Sequence, residues 1–99
     1  ATPILVSLTP RNEWPGGKIE RRNDTYGKWY REVVAETGVE FVDVHNISAD
    51  YLDRKGQKKA KAYYNHDHTH TSLKGAQLNA KSVARGLKTI KSPLAAYLK

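Results

Sequence analysis

Three imidazoles and a carboxylate fall within five residues at His66-Asp67-His68-Thr69-His70, followed at once by Thr71-Ser72. Asp67 and His70 are three residues apart, so one turn of backbone can set the carboxylate against the ring. A carboxylate so placed fixes the imidazole tautomer and stabilises the imidazolium, the orienting part of a Ser-His-Asp hydrolytic site. The nucleophile must then come from elsewhere. Two other chemistries compete for the same residues. His66, His68 and His70 alternate, so an extended strand would turn all three to one side, as some zinc sites require. The sequence departs from a His-x-His-x-Asp-His set, because Thr69 precedes the last histidine. The remaining reading is structural: a polar loop whose histidines cap helix ends. Spacing alone leaves the acid–base pair and the structural loop equally open.

The elements that must hold this stretch read as strand and helix in alternation. Residues 4–8 are apolar and partly β-branched, ended by Thr9-Pro10, which predicts a strand buried on both faces, as in a parallel sheet. Arg11, Asn12 and Trp14 then stand beyond its carboxyl end, where open parallel sheets bind ligands, and are candidate substrate-binding residues. Packing on the domain's own surface is an equal reading for Trp14. Asn23-Asp24 predicts a helix cap. Tyr26, Trp29, Tyr30, Val33, Val34 and Thr37 follow at helical spacing as one apolar stripe, whose aromatics read as core. Gly38 stops that helix. Residues 39–45 predict a second strand, with His45 at its end making a structural hydrogen bond.

Residues 46–53 predict a short helix capped by Asn46 or Ser48, with Tyr51 and Leu52 turned inward. The basic run 55–64 reads as a solvated helix face. Leu73, Ala76, Ala80, Val83, Leu87 and Ile90 step by three and four, predicting a helix of about five turns capped by Ser72 or Thr71. Ser92-Pro93 ends it, and the apolar tail 94–98 is expected to pack on the sheet or a helix. Strand, helix, strand with short connections implies a βαβ unit and a parallel sheet, so the fold class is α/β. Two strands leave sheet edges and a face uncovered. A further segment or a second copy is expected to cover them.

Composition narrows the classes. Ninety-nine residues make one domain or a piece of one, and Ala1-Thr2-Pro3 leads so directly into the first strand that a piece is expected. The formal charge is +7, from 17 Lys and Arg against 10 Asp and Glu. Such a charge suits steering toward an acidic glycan or, with less support from the sequence, nucleic acid; its plainest role is solubility. There is no cysteine, which removes disulfides, thiolate nucleophiles and Cys-ligated zinc. No apolar run approaches the ~20 residues that span a bilayer, so no membrane partner is expected.

Asp67-His68-Thr69-His70-Thr71-Ser72, followed by Gly75-Ala76 on a helix, resembles the last sequence block of SGNH (GDSL-type) hydrolases, and more narrowly the rhamnogalacturonan acetylesterase branch. Thr9-Pro10 with Trp14 after a strand, Tyr26-Gly27-Lys28-Trp29, Phe41-Val42-Asp43 and Pro93-Leu94 add to the likeness, which runs over nearly all of the chain. The resemblance implies a three-layer α/β/α, flavodoxin-like sandwich around a parallel sheet. It also implies removal of acetyl groups from a pectin backbone sugar through an acyl-enzyme, without metal or cofactor, in the periplasm or outside the cell. Carried over by position, Asp67 is the triad acid and His70 the general base, and His68 inherits no role.

Two blocks of that family are missing. Its nucleophile follows Gly-Asp, and none of Ser7, Ser48, Ser72, Ser82 and Ser92 does. Its oxyanion donors come from a glycine block and a Gly-x-Asn-Asp block, whereas Asn23-Asp24 follows Arg21-Arg22. The expectation is therefore the C-terminal half of a single hydrolase domain, residues 1–99, inactive by itself. The alternative is a non-catalytic basic module binding acidic glycan or nucleic acid.

Overall fold

The apolar run at the start of the chain needs a neighbour for its backbone groups, and it finds one after the first helix. In a computed structural model describing residues 2–98, β1 (Ile4–Val6) pairs in parallel with β2 (Glu40–Val42), in the register Ile4 to Glu40, Leu5 to Phe41 and Val6 to Val42. Ala1, the lead-in to the first strand, lies outside those residues. The crossover is α1 (Tyr26–Thr37), ended by Gly38 in the left-handed region at φ 68°. α2 (Val44–Lys55), the short α3 (Gln57–Ala60) and α4 (Leu73–Thr89) follow, with 3₁₀ turns at Pro15–Gly17, Lys61–Tyr63 and Pro93–Tyr97. The chain is α/β, built on a two-stranded parallel sheet with helices around it.

Both strands are shorter than the apolar runs that announce them. The last bond between the strands is from the Ser7 amide to the Val42 carbonyl at 3.1 Å; beyond it the Leu8 amide donates to the Tyr30 hydroxyl instead, while the Ser7 hydroxyl donates to Asp43 and accepts from the His45 amide. β2 stops at Val42 because Asp43 caps the next helix, its carboxylate accepting from the Asn46 amide. That helix begins at Val44, so Asn46 and Ser48 sit inside it and His45 lies in its first turn. The His45 Nδ1 bonds the Leu8 carbonyl at 2.8 Å, the structural hydrogen bond expected of it, made from a helix and not from a strand end. At α1 the cap position is taken by Thr25, without a side-chain bond, not by Asn23 or Asp24.

The core lies between α2, the α3 region and α4. Ile19, Ala49, Leu52, Ala60, Tyr63 and Tyr64 are buried together, with Trp14, Tyr51 and Leu78 packed partly against them. Two glycines let α4 approach closely: a Cβ at Gly75 would collide with the Tyr63 carbonyl oxygen, and one at Gly86 with the Val42 side chain. Ser48 is fully buried where α2 meets α4, and its hydroxyl donates to Ser82 or Asn79 at 2.8 Å, so the polar group is satisfied. The tail turn at Pro93–Tyr97 packs on α4, leaving Tyr97 exposed.

Candidate active site

The histidine stretch is a closed loop and not a strand. Its neck is an antiparallel bridge between Tyr64 and Thr71. The Asn65 amide donates to the His70 carbonyl at 2.9 Å and the Ser72 amide to the Tyr63 carbonyl at 3.1 Å. Ser72 then does two things. Its hydroxyl donates to the Ala62 carbonyl at 2.7 Å and accepts from the Gly75 amide at 3.2 Å, so one side chain ties the neck and caps α4. Thr71 is not the cap.

Within the loop, Asp67 is the organising group. One carboxylate oxygen accepts from the Thr69 amide at 2.8 Å and the His70 amide at 2.6 Å. The other accepts from His70 Nδ1 at 2.6 Å. These bonds, the His70 amide foremost, then its ring and the Thr69 amide, hold the Asp67 carboxyl well below the usual carboxylate range. A carboxylate cannot donate, so the proton lies on Nδ1, and the neutral His70 ring carries its lone pair on Nε2. The ring is 77% exposed. A ring so held can accept a proton at its exposed edge.

The expected site residues fall into three groups. Asp67 and His70 are brought together. His66 and His68 are exposed, and among the described residues no group of three or more His, Cys, Asp or Glu side chains converges as metal ligands. The loop after β1 reaches the histidine loop by its backbone: the Asn12 amide donates to the His68 carbonyl at 2.8 Å, and the Tyr64 hydroxyl donates to the Pro10 carbonyl at 2.6 Å. The Asn12 and Trp14 side chains satisfy each other, the indole N–H donating to Asn12 Oδ1 at 2.6 Å. Of the three residues on that loop, Arg11 is the exposed one.

Each serine hydroxyl is engaged away from His70. Ser7 bonds Asp43, Ser48 bonds Ser82 or Asn79, Ser82 bonds the Leu78 carbonyl, Ser72 bonds Ala62, and Ser92 accepts from the Leu94 amide. All but Ser72 are buried. Among the described residues, then, no serine hydroxyl is bonded to His70. Sequence reading missed the roles of Asn65 and Tyr64. Nothing in their types marks them, because both act through backbone carbonyls set by the fold.

No protein-family profile matches the chain. It is 29% identical, over 99 residues, to a Bacillus subtilis (strain 168) protein named probable rhamnogalacturonan acetylesterase YesY, covering 95% of this chain and 46% of that one. It is 26% identical, over 80 residues, to a rhamnogalacturonan acetylesterase of Emericella nidulans, covering 81% of this chain and 33% of that one. The chain thus spans less than half the length of either relative. The likeness is a family-level one to SGNH-type carbohydrate esterases, over part of their length.

Proposed function

We propose that residues 1–99 are the C-terminal half of an SGNH-type hydrolase domain, and that Asp67 and His70 are its triad acid and base. The complete domain would be a three-layer α/β/α sandwich, working in the periplasm or outside the cell. Its substrate would be acetylated pectic carbohydrate of the rhamnogalacturonan kind. The observation that carries the reading is the 2.6 Å bond from His70 Nδ1 to Asp67, with the far edge of the ring exposed.

In that reaction a serine hydroxyl supplied by another segment, or by a partner chain, loses its proton to His70 Nε2 as its oxygen attacks the acetyl carbonyl. The imidazolium, steadied by Asp67, returns the proton to the departing sugar oxygen and leaves an acetyl-serine. Water then repeats the sequence and releases acetate. The engaged serines of this chain support an outside origin for the nucleophile. So does the length of the relatives, which leaves more than half of each unmatched.

Acetate release from acetylated rhamnogalacturonan tests the proposal. These residues alone should release none. Restoring a nucleophile-bearing segment, from upstream coding sequence or from the Bacillus relative, should give activity. Asp67→Asn or His70→Ala should then lower kcat by about 10⁴. Undiminished activity in His70→Ala would remove the assignment.

A further inference from the structure

The basic run read as a solvated helix face does more than face water. Lys55 at the end of α2, Lys58 and Lys59 on α3, Lys61 after it and Lys74 in the first turn of α4 line one shallow groove of about 430 Å³, floored by Tyr63 and Ala62. No carboxylate lines it, and none of the five ammonium groups joins an ion pair among the described residues. The acids of α2 are directed elsewhere, since Asp50 and Asp53 both pair with Arg21. Two of the lysines are held in place over rings, Lys74 at 4.9 Å from the Tyr63 centroid and Lys55 at 5.4 Å from that of Tyr51. Five like charges gathered on one depression repel each other, and a ligand of opposite sign relieves that repulsion.

The groove also adjoins the histidine loop. Ala62 and Tyr63 are the residues whose carbonyls hold Ser72 at the loop's neck, so groove and loop share one wall. We infer that this lysine groove binds a polyanionic glycan chain, its carboxylates spread along the five ammonium groups beside the acid–base pair. The identity of the ligand rests on the esterase reading. Single-stranded nucleic acid is the poorer fit, because base stacking needs an open aromatic face. Tyr63 is buried and Lys74 lies over it.

Affinity electrophoresis of the 99-residue chain in gels containing de-esterified polygalacturonate tests this. Binding should weaken about tenfold between roughly 50 and 200 mM NaCl. It should also fall at least about tenfold in the Lys58→Gln/Lys59→Gln/Lys74→Gln variant. A variant with equal loss of charge elsewhere, Lys28→Gln/Lys81→Gln/Lys88→Gln, should bind nearly as the parent does. Equal loss in both variants would reduce the effect to net charge and overturn the site, as would equal retention by fully methyl-esterified pectin. Tighter binding of oligo-dT than of polygalacturonate would overturn the glycan. Acetate release is measured separately, on the chain joined to a nucleophile-bearing segment: release by that joined protein without polygalacturonate binding removes only the groove, and binding without release by it removes only the esterase.

Discussion

α4 buries Gly75, Ser82 and Gly86 against β2, α2 and the Tyr63 turn, whereas α1, with an apolar stripe as regular as that of α4, buries no residue. Trp29 is 53% exposed and Val33 44%, and Tyr26 meets Trp29 edge-on at 5.2 Å in the open. What holds α1 is chiefly Tyr30, whose ring lies 5.9 Å from Phe41 and whose hydroxyl takes the Leu8 amide. Val6 and Leu8 beside it are also exposed. Helical periodicity announces a face to be buried, and says nothing about whether its cover is in the same segment. The α2–α4 side is covered within the described residues, whereas the α1–β1 side leaves its apolar side chains exposed.

The largest expected effect tests the covered side. Leu52→Ala should cost about 2–5 kcal/mol by urea unfolding, since the side chain is 1% exposed. Gly86→Ala should cost about 1–3 kcal/mol, because the new methyl must displace Val42. A cost near zero would mean that α4 does not sit against β2. Trp29→Ala should change stability by less than about 0.5 kcal/mol in this chain alone. It should cost about 1.5–3 kcal/mol once a covering segment is present. A large cost in the isolated chain would show that self-association already covers α1, which sedimentation would reveal.

The smallest effect concerns the histidine loop, which lies outside both sides of the comparison. Asp67 has a folded pKa depressed below its ordinary 3.8, so its contribution is present above that value and is lost as the pH falls toward the lower one. NMR titration should find the Asp67 carboxyl ionised well below pH 3.8, and its bond to the His70 ring kept until the carboxyl itself protonates. A carboxyl titrating at its ordinary value would mean that the bond to the ring is not kept in solution.

Much of this was legible locally. The stop at Gly38 and the span of α4 follow from residue type and spacing; the cap is narrowed to Ser72 or Thr71, and a separation of three permits the Asp67–His70 contact without deciding it. Asp43 was not legible, because a β-branched run ending in Asp reads equally as strand or as strand followed by cap. The lysine groove was not legible either. Its charges come from α2, the α3 region and α4, and the Ser72 bonds to Ala62 and Tyr63, with the close approach of Gly75 to Tyr63, bring Lys74 to the others. Ser7, with partners 36 and 38 residues away, is a wholly tertiary assignment.

The Tyr64 hydroxyl, stitched to the Pro10 carbonyl, has its pKa pushed up to about 12 by burial. Its contribution is therefore complete below the ordinary tyrosine value near 10 and fades only as the medium passes through about 12. The seam joining the loop after β1 to the histidine loop should thus hold in alkali that already ionises an exposed tyrosine, and loosen only where the medium reaches about pH 12.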